Sequence, residues 1–390
     1  MDFAIWTYPW DVLDEGPGRV ADRLDGIGVS EINLATNYHT VQTFLPHNSE
    51  RRTFFTRASS YFRPDDRYGR LEPILQPEME GGGGTGDGGD WVEEIAADLS
   101  DEVGLTSWTV GCHNSVLGTR HPDLAIENAH GDDLVFGLCP SQPEVQAYLV
   151  NLVGDLTDRD HFDRIELETF DYFYGTGFGW HHQKIHADLG SLGEFLFGLC
   201  FCAECRENAT EAGVDADRAR ETVRETVDAI VAREVDPGDP EGWLDEHPVV
   251  AEYTQVREET LAGVFGRLAD ASGNTELGYY AAAPEPGRSW MVGADLEALG
   301  EHVDYFVAPV YLSSREAVLE GYRTVEENAP DIPLHAGILP GHPAVDDEET
   351  VVDIVDGLAG VDVPRVSFYN YGLLPEHALD WIGTATDGHR

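Results

Sequence analysis

Short strand-like runs alternate with amphipathic stretches along the whole chain, and this alternation restricts the fold more than any other feature of the sequence. It is typical of a parallel sheet whose strands are joined by crossover helices. Eight runs can be counted, the number of strands in a (β/α)8 barrel, and 390 residues are enough for one barrel with insertions. We therefore predict an α/β fold, a single TIM barrel over residues 1–390. The predicted strands are Phe3–Tyr8, Glu31–Ala35, Thr106–Val110, Arg164–Phe170, Glu276–Ala281, Tyr305–Tyr311, Leu334–Leu339 and Arg365–Tyr369.

Three segments are longer than a minimal barrel requires. Residues 40–90 form an excursion after strand 2 that ends in a glycine-rich tether at 81–89, and residues 171–206 form a loop after strand 4 that contains a cysteine cluster. Residues 215–271 are predicted to form a helical extension after strand 4. In TIM barrels the active site lies on the loops that follow the strands, so the first two segments are candidates for function. The excursion is interpreted either as an active-site lid or as surface packing.

The charge balance of the chain is extreme, with 73 acidic residues, 24 basic residues and a net charge of −49. Lys184 is the single lysine. An excess of hydrated carboxylates keeps a protein soluble in concentrated salt, where screening weakens the repulsion among them. The composition therefore indicates a salt-adapted, halophilic protein, with an acidic surface for a basic partner as the alternative. Because no basic patch could neutralise phosphates, a nucleic-acid partner is not expected.

The N-terminal segment runs from Met1 directly into the strand-like run at Phe3, without the basic and apolar regions of a signal peptide. This start predicts a cytoplasmic protein. No apolar run approaches the roughly 20 residues that span a bilayer, so no membrane association is expected. Five cysteines in a reducing compartment are interpreted as metal ligands or buried thiols before disulfides.

Three of the five cysteines lie within six residues, in the segment Cys200-Phe201-Cys202-Ala203-Glu204-Cys205. Thiolates in such a turn can occupy three corners of a tetrahedral zinc site, which needs one more ligand. Free buried thiols, or a disulfide between two of them, are the alternative interpretation. The remaining Cys112 precedes His113 and could be a nucleophile, although a cysteine at a strand end more often serves packing.

The cysteine pattern resembles a known zinc site. The C-x-C-x-x-C spacing after strand 4, with Cys139 just before the helix that precedes strand 4, is similar to that of the family-42 β-galactosidases, barrel glycoside hydrolases whose metal is structural. Barrel glycosidases of unassigned activity share the C-P-S-x-P-E-V and C-F-C-x-x-C segments. The resemblance covers roughly residues 137–206 and is weak elsewhere. It implies a structural zinc ion that would fix the loop after strand 4, bound by Cys139, Cys200, Cys202 and Cys205.

Most residues that close the predicted strands are polar or aromatic. Such side chains suit a sugar, because Asn and His make hydrogen bonds to its hydroxyl groups while Tyr and Trp stack on its apolar face. No glycine-rich phosphate cradle is apparent, which argues against phosphorylated substrates and dinucleotides. The candidate substrate-binding residues are Tyr8, Asn37, His39, His113, Asn114, Glu166, Tyr280, Tyr311, His335, Tyr369 and Asn370.

Strand 4 carries two acids, Glu166 and Glu168, that alternate with apolar residues. The alternation places both carboxyl groups on the inward face of the barrel. Glu168 is nearer the mouth, where partial burial gives a carboxyl group the raised pKa of a general acid. The acid/base glutamate of the family-42 β-galactosidases also closes strand 4, so the resemblance implies this role for Glu168, although Leu167 replaces the family's preceding asparagine. An ion pair with an arginine inside the barrel is the structural alternative.

A conventional glycosidase needs a second carboxylate. The family's nucleophile closes strand 7, but residues 335–339 contain no acid, and strands 6 and 8 also end without one. Asp171 and Glu285, in the loops after strands 4 and 5, are the available substitutes. In a chain this acidic, each is more often a solvated loop residue.

These observations predict a carbohydrate-active barrel enzyme, similar to glycoside hydrolases, with Glu168 as general acid/base and a small saccharide or glycoside as substrate. Two alternatives stay open. The barrel could bind a saccharide without hydrolysing it, or it could be a metal-dependent sugar isomerase or lyase that uses His39, His113 and His335. A further histidine group at 180–186 fits no common metal-site spacing. A homo-oligomer is compatible with the sequence.

Overall fold

Eight parallel strands form a closed barrel in the computed structural model, which describes residues 1–80, 89–99, 103–173, 186–281 and 285–389. Strand 1 pairs with both strand 2 and strand 8, so the ring is closed. The predicted (β/α)8 barrel is thereby confirmed. The barrel strands, numbered 1 to 8 in chain order, are Asp2–Thr7, Glu31–Tyr38, Gly104–Val110, Arg164–Glu168, Glu276–Tyr280, Tyr305–Pro309, Leu334–Ile338 and Arg365–Phe368.

The strands are buried along most of their length because helices cover the outside of the ring and side chains fill its inside. Each observed strand overlaps its predicted counterpart and differs from it by a few residues at the ends. Strand 4 ends at Glu168 rather than at the predicted Phe170, because Thr169 has a φ of 53° and turns the chain out of the ladder. This turn leaves Glu168 as the last residue of the strand.

Helices surround the barrel, and several begin at a polar cap. Asp90, Ser314 and Asp347 each accept a hydrogen bond from the backbone N–H three residues further along, which satisfies a free donor of the first turn. None of the helices in the described ranges is long and apolar enough to cross a membrane. The α-helices outside the connection between strands 4 and 5 are Pro9–Glu15, Pro17–Gly26, Pro77–Glu80, Trp91–Asp98, Ser115–Arg120, Pro143–Asp158, Leu296–Leu299, Arg315–Asn328, Glu348–Ala359 and Glu376–Asp387.

The connection between strands 4 and 5 is mostly helical. The buried residues of its amphipathic helices recur three and four positions apart, for example Ala219, Val223, Val227 and Ile230. Three of its helices span residues 216–272, close to the range 215–271 in which we predicted a helical extension. In the described part of this connection the helices are Gly190–Gly198, Ala203–Glu211, Ala216–Val231, Pro240–Glu246 and Pro248–Ser272.

The excursion after strand 2 packs on the helix Pro9–Glu15 that follows strand 1. The ring centroids of Trp10 and Phe54 lie 4.4 Å apart, and Arg51 Nε lies 2.7 Å from Asp14 Oδ2. These contacts place the excursion at the C-terminal face of the barrel. Residues 81–88 of the predicted tether lie outside the described residues. The strands of the excursion are Val41–Phe44 and Thr53–Thr56, which form a hairpin, and Ser59–Ser60, which pairs with strand 2.

A charged cluster closes the opposite, N-terminal end of the barrel. Glu31 Oε2 lies 2.9 Å from Arg164 Nη1 and also pairs with Arg365, while Thr106 donates a hydrogen bond to the same carboxylate. The four residues belong to strands 2, 4, 8 and 3. Removing one partner of a buried ion pair costs roughly 3–5 kcal/mol, so this cluster has a structural role.

Candidate active site

Two inward-facing residues, Glu168 and Tyr280, lie side by side at the mouth of the barrel. The register pairs Leu167 of strand 4 with Tyr279 of strand 5, and these two residues face outward. Because side chains alternate along a strand, the next residue on each strand faces inward at the same level. Glu168 and Tyr280 are therefore neighbours on adjacent strands.

Glu168 is partly exposed at the end of strand 4. The indole Nε1 of Trp108 donates a hydrogen bond to Glu168 Oε2 over 2.5 Å. Burial raises the pKa of the Glu168 carboxyl group to about 7, the Trp108 bond opposes this rise, and the charge of Asp171 adds to it. A carboxyl group with such a pKa can donate and accept a proton near neutral pH, as a general acid/base must.

Glu166 lies two residues deeper on the same face and has no exposed surface. Its Oε2 accepts hydrogen bonds from Tyr280 Oη at 2.6 Å and from Asn33 Nδ2 at 3.2 Å, and Tyr305 Oη lies 3.5 Å from its Oε1. Burial raises the pKa of Glu166 to about 7, although the donors counteract it. Glu166 is therefore enclosed by hydrogen-bonding groups from strands 2, 5 and 6.

Aromatic rings surround the two carboxyl groups. The Trp108 ring lies 4.6 Å from that of Tyr38 and 6.4 Å from that of Trp6, measured between centroids. Tyr8 Oη lies 3.2 Å from Tyr369 Oη. The structure therefore brings together several predicted binding residues, namely Tyr8, Glu166, Tyr280, Tyr311 and Tyr369.

Three rings of this site, Trp6, Tyr38 and Trp108, were not predicted from the sequence. Residues that close each strand were predicted to bind substrate, whereas the long rings of Trp6 and Trp108 reach the mouth from inside strands 1 and 3. The aromatic wall consists of Trp6, Tyr8, Tyr38, Trp108, Tyr280, Tyr311 and Tyr369. Strand alternation could have found Trp6 and Trp108, because it gives them inward positions. It could not have found Tyr38, since the ladder between strands 2 and 3 is irregular between Ala35 and Asn37.

The three predicted asparagines bond to backbone or cap a helix instead of lining an open surface. All three are buried. Asn37 joins strand 2 to the end of strand 3, while Asn114 and Asn370 fix the loops after strands 3 and 8. The hydrogen bonds join Asn37 Nδ2 to Val110 O (2.6 Å), Asn114 Oδ1 to Leu117 N (2.9 Å) and Asn370 Oδ1 to Gly372 N (3.2 Å).

The predicted histidines do not form a metal site. His39 and His113 stack with their centroids 4.4 Å apart, and His335 stacks on Tyr305 at 4.3 Å, deep in the barrel. Burial lowers the pKa of His335 to about 4. In the described part of the chain, the cysteine cluster is the one group of three or more candidate metal ligands that lie together, and residues 180–182 are outside that part.

The two candidate second carboxylates, Asp171 and Glu285, lie in environments unlike that of Glu168. Asp171 is 2% exposed and accepts a hydrogen bond at 2.7 Å from Tyr279, whose ring faces the helices. Burial raises the pKa of Asp171 to about 7. The Glu285 side chain is 56% exposed and lies 3.1 Å from the Nη1 of Arg288.

The four predicted cysteines form a buried cluster that could bind a metal ion. Their sulfur atoms all lie within 4.8 Å of one another. The Sγ of Cys139 lies 3.5 Å from that of Cys205, 3.6 Å from that of Cys200 and 3.7 Å from that of Cys202. The fifth cysteine, Cys112, is fully buried, and burial holds its pKa well above the ordinary value, which disfavours the reactive thiolate.

The cysteine cluster is connected to the end of strand 4 through two side chains. Cys205 Sγ lies 3.1 Å from Ser141 Oγ, which lies 2.7 Å from Tyr172 Oη. Tyr172 follows Glu168 by four residues. The cluster therefore supports the chain that leaves the mouth of the barrel.

The fold is similar to those of solved glycoside hydrolases. The glycoside hydrolase domain of PgaB (BpsB) from Bordetella bronchiseptica has a TM-score of 0.60 and 11% identity, over 99% of this chain and 98% of that one. The β-galactosidase of the psychrophilic Marinomonas ef1 has a TM-score of 0.59 and 11% identity, over 99% of this chain. The β-galactosidase of Bacillus circulans sp. alkalophilus has a TM-score of 0.56 and 13% identity, also over 99% of this chain.

These likenesses show a shared fold. This chain spans 59% and 55% of the two β-galactosidases, little more than half of their length. No family model matches the chain, and no curated protein matches it significantly.

Proposed function

We propose that this protein is a carbohydrate-active, glycoside hydrolase-like enzyme in which Glu168 is the general acid/base. The observation that carries the proposal is the setting of Glu168, which is partly exposed at the barrel mouth and has a pKa of about 7. A general acid must be largely protonated at the working pH and still able to lose its proton. The glycoside hydrolase folds of the structural neighbours support the same reaction class.

The substrate is a small saccharide or glycoside bound against the aromatic wall. The apolar face of a sugar ring stacks on Tyr and Trp, while the phenol and indole groups make hydrogen bonds to its hydroxyl groups. Glu168 donates its proton to the glycosidic oxygen as the bond to the leaving group breaks. As a carboxylate it then accepts a proton from the water that completes hydrolysis.

For the cysteine cluster we propose a structural zinc ion. Zinc–sulfur bonds of about 2.3 Å in a tetrahedron separate the sulfurs by about 3.8 Å, close to the 3.5, 3.6 and 3.7 Å found here. Cys139, Cys200, Cys202 and Cys205 would occupy all four positions, so the ion would supply no catalytic chemistry. Its effect would be to fix residues 171–206 to the barrel.

One observation favours a second candidate, a barrel that binds a saccharide without hydrolysing it. Strands 6, 7 and 8 end at Pro309, Ile338 and Phe368, and no carboxylate closes them. A binding protein needs the aromatic wall but no second catalytic group.

The two candidates are separated by assaying a panel of chromogenic glycosides in molar salt, which suits a net charge of −49. We expect the wild type to hydrolyse at least one glycoside, and Glu168→Gln to lower kcat about 10²- to 10⁴-fold, because the general acid is lost. The loss should be smaller for dinitrophenyl glycosides, whose leaving group needs no proton. Glu221→Gln, an exposed acid on a distant helix, is the matched control and should keep full activity.

Equal activity of the wild type and Glu168→Gln would exclude the catalytic role of Glu168. Saturable binding of a saccharide by calorimetry, without hydrolysis of any glycoside, would establish the second candidate instead.

A further inference from the structure

Among the residues that the structure describes, neither of the two predicted second carboxylates is placed as a conventional partner of Glu168. Asp171 is hydrogen-bonded to Tyr279, and Glu285 is exposed and paired with Arg288. A retaining enzyme needs a nucleophile on the sugar's other face, and tyrosine can be that nucleophile when a base takes its proton. The residue required is therefore a tyrosine next to both the acid and a buried base.

Tyr280 meets this requirement. Its hydroxyl group donates to Glu166 Oε2 at 2.6 Å, within the range in which a base can take a proton. Asn33 and Tyr305 contact the same carboxyl group and hold it in place. The arrangement is a nucleophile, a base and groups that orient the base. Burial holds the pKa of the Tyr280 hydroxyl group well above its ordinary value, so Glu166 has to take the proton as the new bond forms.

Tyr280 is also the inward-facing neighbour of Glu168. The two residues face inward at the same level on neighbouring strands, so the ring of Tyr280 starts beside the carboxyl group of the acid. Tyr280 as a residue keeps 8% of its surface exposed, whereas Glu166 has none, so Tyr280 is the more accessible member of the pair.

We propose that Tyr280 is the nucleophile of this enzyme and Glu166 its base, in place of a second carboxylate. The inference depends on the proposed function. In the first step the bond from Tyr280 Oη to the anomeric carbon forms, and the bond from that carbon to the leaving oxygen breaks. The phenol proton passes to Glu166, and the Glu168 proton passes to the leaving oxygen.

In the second step water attacks the anomeric carbon and gives a proton to Glu168. The bond to Tyr280 Oη breaks, and the oxygen takes back its proton from Glu166, which restores both residues. Trp6 Nε1 donates a hydrogen bond to Tyr280 Oη at 2.5 Å and would stabilise the departing phenolate. The product has retained configuration because two displacements occur.

The test uses the glycoside that the wild type hydrolyses. Its 2-deoxy-2-fluoro dinitrophenyl analogue slows the second step and should leave one fluorosugar on the protein, which intact mass and peptide mapping should place on Tyr280. Proton NMR of the first product should show retained configuration. Tyr280→Phe should form no adduct and lower kcat about 1,000-fold, the order expected when a nucleophile is lost. Tyr322→Phe, which removes another buried hydroxyl group far from the mouth, should keep both properties.

Several results would overturn the inference while leaving the proposed function in place. They are an inverted product, an adduct on a carboxylate, hydrolysis with retention but no adduct, or full activity of Tyr280→Phe, each in a protein that still needs Glu168. A wild type that hydrolyses no glycoside would remove the proposed function and the inference together. Mapping the adduct on the wild type keeps the test valid even if Tyr280→Phe fails to fold.

Discussion

The mouth of the barrel and the cysteine cluster both bury polar side chains from distant parts of the chain. The free-energy cost of this burial is offset in different ways in the two regions. In the cluster the thiols face one another, with Ser141 and the backbone N–H of Cys205 as further polar partners, and all four positions around a metal ion would be filled. In the mouth, Glu168 and Glu166 keep pKa values of about 7 instead of being neutralised by a cation. A set of polar groups whose positions are all filled stabilises a loop. A buried carboxyl group without an adjacent cation has a raised pKa instead, so it retains a proton that can react.

The two regions meet in the segment that follows strand 4. Glu168 belongs to the mouth, and Tyr172, four residues later, is held by Ser141 beside the cysteines. Loss of the cluster should therefore affect the mouth indirectly, through the position of this segment. Loss of a carboxyl group in the mouth should leave the cluster unchanged. This asymmetry can be tested.

The largest effect is expected from Cys202→Ser. Removing one thiolate should abolish stoichiometric metal binding and lower the free energy of unfolding by on the order of 4 kcal/mol, because metal binding is coupled to the folding of the loop. Elemental analysis should give about one zinc per wild-type chain and less in the variant. Urea unfolding gives the stability change. Activity should fall less than in Glu168→Gln, since the mouth is affected only through Tyr172.

Cys112→Ser is the matched control, because Cys112 is equally buried but lies outside the cluster. It should keep the full metal content. If Cys202→Ser also kept its metal, or if the wild type contained none, the cluster would be a group of packed thiols and the comparison would fail.

The second largest effect is expected from Glu166→Gln and concerns the pH dependence of the free energy of unfolding. The pKa of Glu166 is about 7 in the folded protein, above its ordinary value of 4.5, because the charged form is buried. The contribution of Glu166 to the free energy of unfolding is therefore complete below pH 4.5. It is lost as the pH rises through 7, by about 3 kcal/mol in total. Glutamine cannot ionise, so the variant should lose less stability than the wild type between pH 5 and pH 8. Unfolding free energies measured in urea across this range provide the check, and parallel curves for the two proteins would contradict the burial argument.

The sequence predicted the barrel well because its signal is distributed over eight strands, and an error of a few residues at one end does not change the fold. It predicted three metal ligands from local spacing, while Cys139 required a resemblance to a known site. The mouth was predicted less well. Polar residues at strand ends were assigned to the substrate, but Asn114 and Asn370 accept bonds from backbone N–H groups, because a turning chain must satisfy its free donors.

The pairing of Tyr280 with Glu166 was beyond the reach of sequence reasoning for a different reason. Glu166 was predicted to lie inward and Tyr280 to bind substrate at the end of its strand, but their contact joins strands 4 and 5 across 114 residues. Only the register between these strands decides whether the phenol meets Glu166, Glu168 or neither.

The smallest effect is expected from Trp108→Phe, which tests whether a single hydrogen bond adjusts the acid. The indole N–H donates to Glu168 and lowers the pKa of its carboxyl group, in opposition to burial. Without this donor the pKa should rise. Activity that needs protonated Glu168 is lost as the pH rises through that pKa, so the alkaline limb of kcat/KM should move to higher pH, by less than about one unit. Trp10→Phe is the matched control, since Trp10 stacks on Tyr8 and Phe54 and its indole Nε1 donates no hydrogen bond within the part of the chain that the structure describes, and its alkaline limb should not move. An alkaline limb that stays in place, or moves to lower pH, in Trp108→Phe would mean that the hydrogen bond from the indole does not lower the pKa of Glu168.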